Sequence, residues 1–443
     1  MHVLLFLCIC LVISDAVDNP EELVNLLAGT FTDGQKFSTG NTLPLVGMPW
    51  GFNHWAPQTR EQNRAGSWWF NGNDHQITWM RCTHQPSPWI GDWGYFLFMP
   101  VLSSGFDRNP VAYWEPRAAT IKPYVFDAII APHGIRIELA PTMHGAYLRV
   151  TFPKNVEGRE KRICFREGQN WAHTAETGGS AIITGVNKRV TQDRLPVSRF
   201  GLHIRVRSDE PADVHDDRDI ICFSYRSTVT SVGVRLATSL ISPEQAKVNM
   251  DRELNGDYET VAKEAKSTWH HLMKRVDVVD AGSITGRSVR HLTVFYSGLA
   301  RALSFPRRLD EVDVSGKLVH YSPYDPSGGV HEGILVTDNG FWDTFRTVYP
   351  MLSLIYPDQL GQIVQGWLSA FKEGGWLPSW ASPGYRNCMV GTFADVVVAD
   401  AIVKEVPGFD LQIAMNALMK DSFEEPPALS SGATGKDGLS RYV

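Results

Sequence analysis

The sequence predicts an antiparallel β-sandwich followed by an all-α domain. With 443 residues the chain is longer than one ordinary hydrophobic core, so two domains are expected. Short alternating apolar runs fill residues 17–241, whereas apolar residues recur at helical spacing over residues 242–443. The prediction is therefore a β domain over 17–241 and an α domain over 242–443.

The strands of the first domain are predicted from short runs bounded by Gly, Pro, Asn and Asp. Eight such runs carry the pattern: GYFLFMPVL, YVFDAIIA, GIRIELAPT, AYLRVTF, SAIITGV, GLHIRVRS, DIICFSYRS and SVGVRLATSLI. Their spacing is typical of a sandwich, and HGIRIELAPTMHGAYLRVTFP alternates like a hairpin.

The second domain begins at ISPEQAKVNMDREL. Ser242 is a predicted N-cap, Pro243 fits the first helical position and Gln245 completes a capping box. Further helices are predicted in YETVAKEAKSTWHHLMKRV, SVRHLTVFYSGLARALSF, FWDTFRTVYPMLSLIY, QLGQIVQGWLSAFKEGG, TFADVVVADAIVKEV and DLQIAMNALMKDSFE. The connection of more than thirty residues before the FWDTFR segment predicts a functional loop or a small hairpin.

Composition excludes several classes of function. The net charge of −6 lacks the basic excess that nucleic-acid binding uses, so no nucleic-acid partner is expected. No segment is apolar for long enough to predict a membrane span. The sequence also lacks the G-x-S-x-G, H-E-x-x-H, G-x-x-x-x-G-K and EF-hand motifs.

The N-terminal segment predicts a secretory signal peptide over residues 1–16. The apolar run 3–13 is short, and Ser14-Asp15-Ala16 resembles a cleavage site; a buried N-terminal strand is the alternative. A signal predicts a secreted or otherwise extracytoplasmic protein. Four cysteines then remain (Cys82, Cys164, Cys222 and Cys388), and they allow three disulfide connectivities between which the sequence does not choose.

One short stretch, DNGFWDTFRTVYP, concentrates candidate binding residues. Trp342, Asp343 and Arg346 lie within five residues at a predicted helix start. Asp343 in the first turn of a helix is favoured by the helix dipole, and Arg346 three residues later can pair with it, so these residues could simply stabilise the helix. The same arrangement suits a sugar, whose hydroxyls pair with a carboxylate while its apolar face stacks on an indole. Spacing alone leaves both interpretations open.

Two aromatic-rich loops carry the same ambiguity. The loop 374–391 contains Cys388 and Met389 with several aromatic residues, and it either packs on neighbouring helices or forms a second side of a site. The loop 41–60 contains Trp50 and Trp55, and it is either buried irregular backbone or a binding surface.

These segments closely resemble glycoside hydrolase family 92, a family of calcium-dependent, inverting exo-α-mannosidases. DNGFWDTFRTVYPMLSLIYP and GGWLPSWASPGYRNCMVGTFADVVVADAIVK carry the resemblance most specifically. GNTLPLVGMPWGFNHWAPQT, HQITWMRCTHQPSPWIGDWGYFLFMP and VGVRLATSLISPEQAKVNMDREL extend it to about residue 28. The resemblance implies a β-sandwich followed by an (α/α)6 barrel, of which this chain would form the first half.

The resemblance also implies site residues. Trp342 and Asp343 would line the subsite for the terminal mannose, Arg346 would orient Asp343, and Cys388 and Met389 would lie near that subsite with Cys388 as a free thiol. Trp55, or a neighbouring tryptophan of the sandwich domain, would approach the leaving sugar. The expected partner is a mannose-containing glycan, and α-1,2 linkages are the predicted substrate.

The family's catalytic acid and base, and its calcium ligands, are expected beyond Val443. No catalytic residue and no metal ligand is therefore predicted within these 443 residues, and the chain alone is predicted to be inactive. Calcium is predicted as the cofactor of the complete enzyme. The alternative function is a non-catalytic carbohydrate-binding protein that keeps one wall of the mannose site.

Overall fold

A computed structural model shows a β-sandwich followed by a helical domain. The structure describes residues 17–31, 40, 42–61, 68–88, 90–103, 109–154, 156, 158–167, 174–176, 180–182, 201–217, 220–278, 286–386, 388–389 and 391–425. The predicted signal peptide lies outside these residues. Among the described residues, no helix combines the length and the apolar character needed to cross a bilayer.

Two antiparallel sheets form the first domain. The six-stranded sheet has the order β1-β3-β4-β10-β15-β14, and the eight-stranded sheet has the order β11-β12-β13-β16-β9-β8-β7-β6. The strands are β1 His54–Gln58, β2 Gln76–Ile77, β3 Trp79–Thr83, β4 Phe96–Ser103, β5 Ala112–Tyr113, β6 Thr120–Lys122, β7 Val125–Ile130, β8 Ile135–Pro141, β9 Gly145–Thr151, β10 Glu160–Glu167, β11 Thr174–Glu176, β12 Ser180–Ile182, β13 His203–Ser208, β14 Asp213–Asp217, β15 Ile220–Tyr225 and β16 Ser231–Ser239.

The sandwich prediction is confirmed, and all eight predicted runs contain a strand. β8 and β9 form the predicted hairpin, with Ile137 opposite Val150. Eight strands were not predicted: β1, β2, β3, β5, β6, β10, β11 and β14. In β10, charged residues at both ends obscure the alternation in Ile163 to Phe165.

The structure also selects one disulfide from the possible pairings. Cys164 of β10 and Cys222 of β15 are directly opposite in the six-stranded sheet and form the bond. Cys82 and Cys388 are free thiols, in agreement with the prediction for Cys388.

Eight α-helices are described in the second domain, after a short 3-10 turn at Pro20–Leu23 near the N-terminus. They are α1 Pro243–Glu253, α2 Tyr258–Met273, α3 Gly286–Ala302, α4 Phe341–Thr344, α5 Val348–Ile355, α6 Pro357–Gly374, α7 Phe393–Val403 and α8 Leu411–Phe423. Helix α6 ends as predicted at Gly375, whose φ of 84° is the left-handed conformation that favours glycine at a helix C-terminus.

Two local predictions about these helices were wrong in part. The hydroxyl of Ser242 accepts from the backbone N of Gln245 at 3.1 Å, but the Gln245 amide donates to Asn249 and Val312 instead of completing the capping box. FWDTFRTVYPMLSLIY is two helices and not one. Pro350 has no N–H for the carbonyl of Arg346 and its ring would clash there, so the helix cannot run through.

The long connection before α4 contains the predicted small β structure. Its strands are β17 Arg307–Arg308, β18 Glu311–Val312, β19 Leu318–Tyr321, β20 Val330–Glu332, β21 Val336–Thr337 and β22 Asn339–Gly340, and β23 Trp380–Ala381 follows α6. β18, β19 and β20 form a three-stranded sheet, β17 pairs with β21, and β22 pairs with β23.

The two domains meet across buried polar groups. His144, between β8 and β9, contacts Glu253 at the end of α1 through its Nδ1 at 2.6 Å and the backbone carbonyl of Asp310 through its Nε2 at 2.9 Å. Glu311 is fully buried and accepts from the backbone N of Leu240 at 2.9 Å and from the Asn249 amide at 2.7 Å. Each of these carboxylates is hydrogen-bonded, which offsets much of the cost of burying its charge.

Candidate sugar-binding wall

Two segments distant in sequence form one side of the candidate site. Strand β22 pairs with β23, which places Gly340 directly opposite Trp380. A β carbon on Gly340 would lie 2.3 Å from the Trp380 indole nitrogen and 2.8 Å from an Asp343 carboxylate oxygen. Glycine is therefore required here, because its lack of a side chain lets the indole and the carboxylate approach the same backbone position.

Helix α4 begins immediately after this pair and displays Trp342 and Asp343 to solvent. The Trp342 side chain is 38% exposed, which is unusual in a chain whose tryptophans are mostly buried. Asp343 is also exposed, although it lies in the first turn as predicted. An indole and a carboxylate displayed together have the chemistry that a sugar ring needs on one side. We call Trp342, Asp343, Cys388 and Met389 the sugar wall.

Arg346 contacts Trp342, whereas it was predicted to orient Asp343. Its guanidinium lies over the Trp342 ring, 4.6 Å from the centroid, and donates to the Trp342 carbonyl oxygen. Among the described residues, no ion pair within 4.0 Å joins Arg346 to Asp343. Arg346 therefore fixes the indole through stacking and does not orient the carboxylate, because its side chain turns back towards the helix start.

The electrostatics of Asp343 reflect its partly covered position. Partial burial raises the pKa of the Asp343 carboxyl, and the positive charge of Arg346 opposes that rise. No hydrogen bond to Asp343 exists among the described parts of the chain. Its carboxylate oxygens are thus available to accept hydrogen bonds from a ligand.

Cys388 and Met389 lie in the loop between β23 and α7. Burial raises the pKa of the Cys388 thiol, the positive charge of Arg386 opposes this rise, and the negative charge of Asp343 adds to it. The Met389 side chain is 42% exposed, and its φ of 66° turns the chain sharply at that point. Trp342 and Asp343 are exposed on α4, Met389 is exposed on the following loop, and the Asp343 charge acts on the nearby Cys388 thiol.

The sixth residue, Trp55, does not belong to the site. Its side chain lies in strand β1, is fully buried, and packs against Phe96 at 5.7 Å and Phe98 at 6.0 Å between ring centroids. The prediction for Trp55 was wrong, because the residue faces the sandwich core and offers no surface to a sugar. Trp50 is also buried, at 5% exposure, between the two domains.

Helix α7 supports the wall from behind. The Phe393 ring stacks on Phe345, with 4.0 Å between centroids and 14° between planes. This apolar stack fixes α7 against the turn after α4. The following carboxyl, Asp395, is mostly buried; burial raises its pKa to about 6, and contacts with Asp421 and Thr392 oppose the rise. Asp395 therefore joins α7 to α8, as a structural residue.

Sequence reasoning missed Asp338, which directly precedes the wall. Its buried carboxylate accepts from Arg307 and from Trp93 of the sandwich domain. The available signal was an acidic residue followed by Asn-Gly in an otherwise apolar stretch, but the partners are 31 and 245 positions away in sequence.

The described residues contain no cluster of metal-ligating side chains. Within the described ranges, no group of three or more His, Cys, Asp or Glu side chains is arranged to hold a metal ion. Calcium prefers six to eight oxygen ligands.

The chain is thus a β-sandwich domain joined to a helical domain that displays an indole and a carboxylate side by side. The model of the glycosyl hydrolase family 92 N-terminal domain matches residues 23–239, and that of the family 92 catalytic domain matches residues 245–443. The chain belongs to glycosyl hydrolase family 92. A search of curated proteins finds no match.

Known structures support the same assignment. The family GH92 inverting mannosidase BT2199 of Bacteroides thetaiotaomicron VPI-5482 is 30% identical, with a TM-score of 0.83 over 96% of this chain and 58% of that protein. The α-mannosidase BT3965 of Bacteroides thetaiotaomicron, at 18% identity, shares the fold, with a TM-score of 0.75 over 93% of this chain and 58% of that protein. The chain thus spans less than two thirds of the length of these relatives.

Proposed function

We propose that the protein is an α-mannosidase, in which this chain supplies one wall of the site for terminal α-linked mannose. The observation that carries the proposal is the sugar wall itself, a displayed indole and carboxylate in a chain of family 92. One relative is described as an inverting mannosidase, and BT3965 has been solved in complex with mannoimidazole. These descriptions support mannose as the sugar and inversion as the stereochemical outcome.

The wall has a defined chemical role in this proposal. The Trp342 ring would stack on the apolar face of the mannose ring, held in position by the Arg346 guanidinium 4.6 Å from its centroid. Asp343 would accept hydrogen bonds from two sugar hydroxyls, since its oxygens have no protein donor among the described residues. Met389 would cover the edge of the ring with a polarisable thioether.

Hydrolysis needs more than this wall. An inverting glycosidase uses a general acid and a general base with carboxyl groups about 6.5–9.5 Å apart. Asp343 is the one carboxylate of the sugar wall, so the general acid and the general base must be other carboxyl groups. We therefore expect Asp343 to bind the sugar and not to act as the acid or the base.

The finer aspects of the function are also proposals. An α-1,2 linkage and calcium assistance follow from the family resemblance, and calcium would help to hold the mannose hydroxyls in the complete enzyme. The apolar run at residues 3–13 supports secretion, and so does the Cys164–Cys222 disulfide, since such bonds persist in oxidising compartments.

The test compares mannose binding to the wild-type chain and to Asp343→Asn by isothermal titration. We expect affinity to fall about tenfold or more in the variant, because a charged hydrogen bond is replaced by a neutral one. Asp400→Asn is the matched control, since Asp400 is a half-exposed helical aspartate whose carboxylate is paired with Lys404. Equal affinity in all three proteins would contradict the proposal.

The same preparation separates the two candidate functions. A non-catalytic carbohydrate-binding protein is the second candidate, because the sugar wall contains one carboxylate and can bind without catalysing. The protein, incubated with α-1,2-mannobiose, should release mannose if it is an enzyme and should lose that activity in EDTA. Mannose binding by the protein without any release of mannose would favour the second candidate.

A further inference from the structure

Asp338 fixes the backbone from which the sugar wall extends. It directly precedes strand β22 and lies four residues before Trp342. Its φ of 59° is a left-handed conformation that is unfavourable for a residue with a side chain. Such a conformation persists only when the surrounding contacts impose it, so the contacts of Asp338 decide how the wall begins.

Those contacts come from both domains. The Arg307 Nε donates to Asp338 Oδ2 at 2.6 Å, and the Trp93 indole Nε1 donates to Asp338 Oδ1 at 3.0 Å. The side chains of Arg307 and Asp338 are both inaccessible to solvent. Burial raises the pKa of the Asp338 carboxyl, and the Arg307 charge opposes that rise. A buried pair with these donors holds its geometry tightly.

Trp93 is itself held rigidly by the sandwich domain. It lies between β3 and β4, next to Asp92, whose carboxylate accepts from Thr83 Oγ1 at 2.5 Å, Arg81 Nη2 at 2.8 Å and the His84 backbone N at 2.9 Å. The Trp93 ring also packs on the His84 ring, with 4.4 Å between centroids. The position of the indole N–H is therefore set by the sandwich.

We propose that Trp93 is a positioning residue, through which the sandwich domain sets the geometry of the sugar wall by way of the buried Asp338 carboxylate. This inference deepens the proposed function and rests on it for the identity of the ligand. Trp93 does not touch the sugar: at 2% exposure it acts through Asp338 and strand β22. Loss of its N–H removes one of the donors that hold Asp338, which loosens strand β22 and allows Trp342 and Asp343 to move together.

The test compares Trp93→Phe with Trp269→Phe. Trp269 is an equally buried indole that donates to a backbone oxygen, Gly47 O, at 2.9 Å, so both variants lose one buried hydrogen bond across the molecule. Amide hydrogen exchange of residues 339–346 is the readout. We expect exchange there on the order of tenfold faster in Trp93→Phe and unchanged in Trp269→Phe. Equal exchange of this segment in both variants would overturn the inference.

Mannose titration of the same proteins connects the inference to the ligand. If the wild-type chain binds mannose, Trp93→Phe should weaken the affinity about fivefold while Trp269→Phe leaves it unchanged. If the wild-type chain does not bind mannose, the proposed function of the wall fails, but the exchange measurement still decides whether Trp93 holds residues 339–346. The two failures are thus distinguishable.

A second variant covers the possibility that Trp93→Phe does not fold. Thr83→Val is nearly isosteric and removes one of the hydrogen bonds to Asp92, so it loosens Trp93 without changing it. We expect exchange of residues 339–346 to rise about two- to threefold in this variant. No change in that segment, with faster exchange confined to β3, would also contradict the inference.

Discussion

The domain interface and the sugar wall use the same residue types in opposite ways. At the interface, Asp338 and Glu311 are buried and each accepts hydrogen bonds from several protein donors. On the wall, Asp343 is exposed and accepts no hydrogen bond from the described residues. A buried carboxylate must be paired to be tolerated, and a binding carboxylate must have acceptor sites left for its ligand.

The comparison predicts that stability depends on the interface and binding depends on the wall. The variant with the largest expected effect on this comparison removes Arg307. Arg307→Met leaves the buried Asp338 carboxylate without its cation, and we expect a loss of about 3–5 kcal/mol in the free energy of unfolding, measured by urea denaturation. Arg275→Met is the control, since its pair with Asp358 is solvent-exposed and we expect a loss of less than about 1 kcal/mol. Similar losses in both variants would remove the distinction.

A pH titration sharpens the comparison. Burial lowers the pKa of His144, but Glu253 outweighs that effect and raises it to about 9. Since this folded-state value exceeds the ordinary 6.5, the contribution to stability is complete below pH 6.5 and is lost as the pH rises through 9. We expect the wild-type protein to lose on the order of 3 kcal/mol of unfolding free energy across that window.

The variant His144→Gln tests the assignment of this loss. Its unfolding free energy should be lower at pH 6 and nearly independent of pH up to 9, because the titrating group is gone. His215→Gln is the control, since His215 is exposed on strand β14, and it should keep the wild-type profile. A wild-type profile in His144→Gln would show that another group causes the loss.

The smallest expected effect lies on the wall. Arg346→Lys keeps the charge but loses the planar guanidinium that stacks on Trp342, and we expect a change of less than about 0.5 kcal/mol in unfolding free energy. Mannose affinity should fall about two- to fivefold, since the indole is then less well fixed. Titration calorimetry measures the affinity and urea denaturation the stability; a large loss of stability with unchanged affinity would reverse the comparison.

The site could be predicted from the sequence only in part. The sugar wall combines residues of two motifs that the sequence shows separately. The pairing of Gly340 with Trp380 joins the two segments that carry these motifs. Trp55 was assigned wrongly, because the sequence of a tryptophan-rich segment does not distinguish buried side chains from exposed ones. Arg346 was predicted to orient Asp343 but stacks on Trp342, since helical spacing does not decide between an indole and a carboxylate.

The sequence by itself determined the order of the domains, eight strands of the first domain, the start of α4 and the end of α6. These features follow from local patterns: alternation, helical periodicity and residues with special backbone preferences. Tertiary structure alone decided the Cys164–Cys222 bond and the buried link from Trp93 to Asp338. The reason is physical, since burial and long-range pairing depend on residues up to 245 positions apart, and no local pattern records them.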